Sequence, residues 1–366
     1  CLLTDAYGGN GGIALFNRNV IEALAVRPDV SELIVLPRVV SSDLQPIPAK
    51  VRHVSAALGG VRSYFTALLK EIFKGRSAGL IFCGHVNLAP LAWLASRVLG
   101  VPWFLCIHGT EAWSPPGSVA RYFVPKADRV LAVSQLTIDR FREWSGVEAE
   151  RCRLLVNAFR PGEFAVLPKD PELSRSWGVE GQTVIMTLGR LSEHEQAKGF
   201  DRVIRALPDV ARIVPDIAYV IVGRGDDKDR LETIAEECGV SDRVHFAGFV
   251  PEEEKARAYS VADAYVMPSM GEGFGFVYLE AMACGIPVVG SALDGSVEAL
   301  KNGELGQLID PFDQAALVEA VVRAVRQPRA IPEGLDWFSY DNFCIRLNEA
   351  LSGLMRPVPQ GVQAVQ

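Results

Sequence analysis

No two of the seven cysteines stand in a Cys-x-x-Cys spacing, and their number is odd. Both a disulfide framework and a zinc site are thereby disfavoured. Thiols such as Cys83, Cys106 and Cys284 lie in apolar runs and read as the reduced, buried cysteines of a cytoplasmic protein. No apolar run reaches the roughly 18 residues that span a bilayer. No signal peptide opens the chain either; it begins inside a strand-like run, so a few native residues are expected ahead of Cys1. Basic residues are the minority, 37 Lys and Arg against 44 Asp and Glu, for a net charge of −7. A protein that grips nucleic-acid phosphates needs the opposite balance, so no nucleic-acid partner is expected. Low-complexity tracts and short repeats are also missing.

What is present fills 366 residues, nearly half of them hydrophobic and 22% charged. That is too long for one ordinary core and suits two globular domains. Short apolar runs alternate with amphipathic helical stretches, the pattern of an α/β protein whose parallel sheets are covered on both faces. The alternation occurs twice. First-half strands are predicted near 2–6, 33–36, 79–83, 103–107, 129–133 and 153–156. An irregular, proline-bearing stretch from 161 to about 180 reads as the linker. Second-half strands are predicted near 184–188, 218–222, 244–247, 264–267, 287–290 and 306–309, with a last helix at about 340–354. Open parallel sheets bind ligands at the carboxyl ends of their strands, so the loops just after the strands carry the information.

The segment Ser269-Met-Gly-Glu-Gly-Phe-Gly-Phe276 follows one such strand and opens a helix. Its glycines, Gly275 among them, allow a ligand close to the backbone. The free N–H groups and positive dipole end of the following helix suit phosphate. Glu272 lies in the loop and Glu280 is placed in the first helical turn. A carboxylate accepts paired hydrogen bonds from vicinal sugar hydroxyls, so two of them flanking such a turn suit a ligand with sugar on both sides of a diphosphate. A plain glycine turn, with Glu280 merely favouring the helix start, is the alternative. Arg190, in Gly189-Arg-Leu191, ends the strand 184–188, and Lys198 precedes the next helix. Two cations there would neutralise a leaving diphosphate; a surface salt bridge to Glu193 or Glu195 is the alternative.

In the first half, Tyr7-Gly-Gly-Asn-Gly-Gly12 follows the first strand. Gly9, Gly11 and Ala14 fit the dinucleotide pattern G-x-G-x-x-[G/A], but no acid ends the second strand, where Glu32 comes too early and Arg38 too late. Approach of a phosphate or sugar to Gly11 and Gly12 is the better reading. His108 follows the strand 103–107, with a satisfied structural histidine as the alternative. Val222-Gly-Arg-Gly225 and Gly248-Phe-Val250 end consecutive strands, so Gly223 and Phe249 are candidates to line a base pocket. Asp294-Gly-Ser-Val-Glu298 opens another helix after a strand and could face phosphate or ribose. The stretch 61–76 reads as an amphipathic helix with apolar Tyr64, Phe65, Leu68, Leu69, Ile72 and Phe73 and basic Arg62, Lys70, Lys74 and Arg76. Packing on the first sheet explains it most simply; contact with an anionic membrane is the second reading.

Together, and in this order, these motifs resemble glycosyltransferase family 4, the retaining GT-B-type enzymes also described as glycosyl transferases group 1. The resemblance covers nearly the whole chain and is densest from 184 to 311. Glu272 and Glu280 match its E-x7-E signature, Arg190 and Lys198 its diphosphate-holding cations, the turn at 8–12 its glycine loop, and His108 its sugar-site histidine. Ser134 and Asn157 fall in positions resembling two further family turns. The insert 193–197 separates Arg190 from Lys198 more than in many members.

The resemblance implies two Rossmann-like parallel-sheet domains facing across a cleft. They would be an acceptor domain at 1–165 and a nucleotide-sugar domain at 166–335, with 336–366 carrying a helix back to the first. It implies transfer of a hexose-type sugar from a nucleoside diphosphate sugar, with uridine or guanosine diphosphate as carrier, to a glycan or lipid-linked acceptor. Bacterial surface polysaccharide or glycolipid synthesis would be the setting. Arg190, Lys198, Glu272 and His108 would act at the reacting centre. Gly11, Gly12, Gly223, Phe249, Phe274, Gly275, Phe276, Val277 and Glu280 would bind the donor. No metal or other cofactor is expected, and location would be cytoplasmic or on the inner membrane face through 61–76. A GT-B-type epimerase or phosphorylase, and a non-catalytic sugar-nucleotide binder, remain the rival readings.

Overall fold

The computed structural model describes residues 1–9, 11–74, 78–193 and 196–355. Contacts divide the chain into two compact units, Cys1–Leu155 with the chain from Asp341, and Val156–Tyr340. The first holds seven parallel strands, β1 (Leu2–Leu3), β2 (Leu33–Pro37), β3 (Val51–His53), β4 (Ile81–Cys83), β5 (Trp103–Ile107), β6 (Arg129–Ala132) and β7 (Cys152–Leu154), in the order β3-β2-β1-β4-β5-β6-β7. The second holds six, β8 (Thr183–Leu188), β9 (Ile217–Val222), β10 (Val244–Gly248), β11 (Ala264–Met267), β12 (Val288–Ser291) and β13 (Gln307–Ile309), in the order β10-β9-β8-β11-β12-β13. In both sheets the order reverses at the first strand of the unit, so β1 and β8 each begin a topological switch point.

The central strands are unbroken apolar runs because helices cover both their faces. All five residues of β5 and all six of β9 are buried. Each fully buried Val, Leu, Ile or Phe contributes about 1.5–3 kcal/mol. Separate cores form around Trp103, Leu105 and Phe141 in the first unit and around Tyr219, Ile221 and Leu207 in the second.

Three differences from the sequence expectation have local causes. Strand β3 was not predicted, because a three-residue edge strand reading Val-Arg-His has no apolar period. The first strand is two residues long, since the chain turns at Thr4 toward the glycine turn. The linker stretch also belongs to the second unit from Val156 on, ahead of the expected boundary at 165. Its main chain and side chains find their partners there: the Phe159 main-chain N–H donates to Phe338 O at 3.1 Å, the Arg160 guanidinium lies 3.9 Å from the Tyr340 ring, and Phe164 meets Tyr259 edge-on.

The last described helix, Tyr340–Ala350, returns the chain to the first unit. There Phe343 packs edge-on against Phe16 and Arg129 donates to Ala350 O at 2.7 Å. No helix among the described residues is long and apolar enough to cross a membrane. Within 61–76 the structure has the helix Val61–Phe73, with Tyr64, Ala67, Leu68 and Ile72 buried. Val61, Phe65 and Phe73 are exposed on it, beside Arg62, Lys70 and Lys74. Phe65 and Phe73, counted with the apolar face in sequence, are thus turned to solvent, and Arg76 lies outside the described residues.

Candidate functional site

In the second unit the loops after β8, β9 and β11 meet backbone to backbone. A Cβ on Gly223, whose φ is +147°, would lie 1.8 Å from Gly189 O. Only glycine lets these two strand ends touch. Gly225 is in the same position against Leu191 O. Arg190 emerges exposed between them. The alkyl chain of Lys198 lies over Gly189, where a Cβ would fall 2.6 Å from its Cδ. From there Lys198 Nζ reaches Glu272 Oε2 at 2.8 Å. Two motifs far apart in sequence thus share one ion pair, each side chain about a quarter exposed. Met270 N–H also donates to Ala197 O at 2.6 Å, which ties the glutamate loop to the Lys198 segment. Of the alternative partners for these cations, Glu195 lies outside the described residues.

The glutamate loop is held from its other side by Asp294. Its buried carboxylate accepts from Glu272 N–H at 3.0 Å, from Ser296 N–H at 3.0 Å and from the Ser296 hydroxyl at 2.6 Å. Gly295 N–H returns a bond to Glu272 O at 2.9 Å. Burial pushes the Asp294 carboxyl above the ordinary range and these donors pull it back. The sequence offers Asp294 as a residue that could face phosphate or ribose; in the structure its carboxylate braces the loop.

Gly275, at φ +90°, begins the helix Phe276–Ala283, and no side chain caps it. Its first N–H groups, at Phe276 and Val277, are the ones a helix start leaves without intrahelical acceptors. Phe274 is buried, edge-on to Phe338 at 5.8 Å, so only its main chain remains for a ligand. Glu280 is the fifth residue of this helix and lies in its second turn, not the first, because the helix starts at Phe276. It is also closed in: Lys255 Nζ bonds Oε1 at 2.9 Å and the Tyr259 hydroxyl bonds Oε2 at 2.8 Å. Neither partner stands out in sequence, since Lys255 follows three glutamates and reads as part of a solvated charged turn. Phe249, after β10, is exposed, with the Arg224 guanidinium 5.6 Å from its ring.

At the strand ends of the first unit the groups are of another kind. Gly11 (φ +103°) leads into the helix Gly12–Ala25 without a side-chain cap; Asn10 of this turn lies outside the described residues. The His108 ring donates from Nε2 to Gly84 O at 3.1 Å and lies edge-on to Phe16 at 5.0 Å. Burial lowers its pKa to about 4 against the opposing pull of the Gly84 carbonyl, so the ring is neutral and Nδ1 carries the lone pair. His108 N–H donates to Glu111 Oε1 at 2.5 Å. Ser134 is a helix N-cap, accepting from Thr137 N–H at 3.2 Å, which accounts for it by capping alone. Asn157 is buried and falls within the second unit.

Two family models match the chain, one described as glycosyl transferases group 1 over residues 169–333 and one as glycosyl transferase 4-like domain over residues 11–158. A GDP-mannose-dependent alpha-(1-6)-phosphatidylinositol monomannoside mannosyltransferase of Mycolicibacterium smegmatis is 33% identical over 296 residues, covering 74% of this chain and 75% of that protein. The alpha-D-kanosaminyltransferase of Streptomyces kanamyceticus is 27% identical over 64% of each chain. Among solved structures, Anabaena HepE in complex with UDP and glucose has a TM-score of 0.74 at 22% identity, covering 96% of this chain and 99% of that one. The lipopolysaccharide outer core galactosyltransferase WaaB has a TM-score of 0.71 at 21% identity, over 96% and 98%. At these identities the solved structures show the shared GT-B fold.

Proposed function

The chain belongs to the glycosyl transferases group 1 family, and from that premise we propose that it is a retaining hexosyltransferase whose second unit binds the nucleoside diphosphate sugar. The observation that carries the proposal is the Lys198–Glu272 pair at 2.8 Å beside the uncapped helix start at Gly275. We read it as a cation for the diphosphate and a carboxylate for sugar hydroxyls, held side by side next to an anion-favouring turn. Arg190 and Lys198 stabilise the leaving diphosphate. The main chain of 274–277, with Glu272, positions the donor sugar, while Glu280 takes the ribose. Gly223 and Phe249 border the base. His108, in the first unit, contacts the sugar or the reacting oxygens, and Gly11 and Gly12 admit the ligand to the first unit's main chain.

The donor proposed is GDP-mannose and the acceptor a glycolipid, by analogy with the GDP-mannose-dependent phosphatidylinositol monomannoside mannosyltransferase that this chain resembles. Retention is proposed to follow same-face attack assisted by the leaving phosphate; trapping a glycosyl–enzyme adduct would overturn it. The exposed Val61, Phe65 and Phe73 with Arg62, Lys70 and Lys74 support peripheral contact with an anionic membrane. Co-sedimentation with anionic but not neutral vesicles checks that contact.

A thermal-shift screen against GDP-mannose, UDP-glucose and ADP-glucose tests the donor, with the largest shift expected for GDP-mannose. Product analysis with and without a phosphatidylinositol mannoside then tests transfer, and NMR of the product gives the anomeric configuration. Turnover of the sugar nucleotide to an isomer without acceptor would instead establish an epimerase.

A further inference from the structure

We propose that Lys255 and Tyr259 are positioning residues that hold the Glu280 carboxylate so that it selects a ribose over a 2′-deoxyribose in the bound nucleotide. The proposal rests on the reading of the second unit as the nucleoside diphosphate sugar site.

Lys255 and Tyr259 are the first and fifth residues of the helix Lys255–Ser260, which the chain enters from the turn after β10. At that spacing they share one face of the helix. Each takes a different oxygen of the same carboxylate, Lys255 Nζ on Oε1 at 2.9 Å and the Tyr259 hydroxyl on Oε2 at 2.8 Å. Two donors fixed to one helix set both the position and the plane of the carboxylate. An ionised carboxylate has about four acceptor sites, so two bonds leave each oxygen able to accept one more. Two parallel acceptors of this kind match the spacing of vicinal hydroxyls.

The donors themselves have little freedom. Tyr259 is fully buried between Phe164, at 6.3 Å edge-on, and Tyr265, at 6.0 Å. The Lys255 side chain is 15% exposed and Glu280 only 5%. Lys255 also bonds Glu252 at 2.8 Å, but Glu252 is largely in solvent. Burial alone would lower the Lys255 pKa; the Glu280 and Glu252 carboxylates outweigh it and raise it, so the ammonium stays charged. A buried pair of this quality also serves to tie two helices together, and the test must separate that role from positioning.

The experiment is calorimetric binding of GDP and 2′-deoxy-GDP, and of UDP and 2′-deoxy-UDP, to the full chain and to Lys255→Met, Lys255→Arg and Tyr259→Phe. The wild type is expected to prefer the ribonucleotide by about 10- to 100-fold, the worth of one charge-assisted bond. In Lys255→Met and Tyr259→Phe the preference should fall below about threefold, with the deoxynucleotide bound as by the wild type; Lys255→Arg should restore it. A merely structural role would weaken both nucleotides together and keep their ratio, which would overturn the proposal. So would a wild type without preference. A wild type that binds no nucleoside diphosphate overturns the functional reading as well. Should Lys255→Met fail to fold, Tyr259→Phe reads the same ratio after deleting a single oxygen.

Discussion

At the strand ends of the second unit Lys198 meets Glu272 at 2.8 Å and Lys255 meets Glu280 at 2.9 Å. At those of the first, burial is the leading influence on Asp5, His85, His108 and Glu111, and it moves every one of them toward its uncharged form. The two sheets share a topology and differ in what their loops do with charge. In the second unit charged side chains face one another in ion pairs, an arrangement that would suit a diphosphate. In the first, burial works against charge at these groups, which would suit a ligand recognised through its hydroxyls. The contrast teaches that one fold supplies both environments, set by whether a close ion pair or burial dominates at each group.

The sharpest way to break this contrast is to remove one charge. Lys198→Ala is expected to lower kcat by about 10²–10³-fold, the usual loss when a group facing developing charge is deleted. The melting temperature should stay within a few degrees, because the side chain is a quarter exposed. His108→Ala should cost less in kcat, since a neutral ring supplies no charge. Single-turnover measurements with the sugar nucleotide rank the two. Near-normal turnover in Lys198→Ala sinks the diphosphate assignment, and a larger loss in His108→Ala inverts the comparison.

Glycines give the next largest effect. A Cβ on Gly223 would meet main chain, Gly189 O at 1.8 Å, at a φ of +147°. The atoms nearest a Cβ on Gly9 would be those of the Asp5 carboxylate, the end of a side chain that can swing away. Gly223→Ala is therefore expected to destabilise by about 2–4 kcal/mol and Gly9→Ala by about 1 kcal/mol. Urea denaturation of both variants checks the order. Equal costs would mean that the first unit's turn is as rigid as the second's.

Much of this was legible in the sequence, for reasons that particular residues make plain. The strands Thr183–Leu188 and Ile217–Val222 are apolar runs ended by glycine, so they and the loops after them could be placed. Knowing the strand ends brought Arg190, Lys198 and Glu272 to one edge of one sheet, where the structure joins the last two. The partners of Glu280 were hidden because Lys255 directly follows Glu252, Glu253 and Glu254 in sequence; which carboxylate a lysine takes is decided by tertiary packing. Asp294 was visible as a polar residue at a helix start, but its bonds to Glu272 and Ser296 depend on how two loops fold together.

His108 offers a smaller effect with a definite sign. Its folded pKa, near 4, lies below the ordinary value of about 6.5. Between those values the unfolded chain binds the extra proton, so the stability His108 contributes is whole above about pH 6.5 and is lost as pH falls toward 4. His108→Gln should flatten the pH dependence of unfolding over this window by up to about 1.4 kcal/mol per pH unit. Denaturation at pH 7 and pH 5 compares the two proteins; an unchanged slope means the ring is not held neutral.

The smallest expected effect is that of chelation. If the second unit's own charges serve the diphosphate, a divalent ion is redundant there. The acidic pair Asp226-Asp227 follows β9 and is the natural suspect for a metal site, yet Asp227 is buried with both oxygens on Arg230, at 2.6 and 2.7 Å. Asp226 accepts the Glu193 N–H at 2.9 Å. Recruiting Asp227 for a metal would break the ion pair that compensates this buried carboxylate, which is costly. Arg190, Lys198 and the helix start at Gly275 remain as the positive groups at the strand ends, and none of them depends on a metal. Transfer in excess EDTA should therefore stay within about twofold of the untreated rate, since charge supplied by side chains and helix ends is not removed by chelation. Complete loss restored by magnesium or manganese would show that the ion pairs of the second unit do not by themselves supply the charge, and would erase the contrast between the two units.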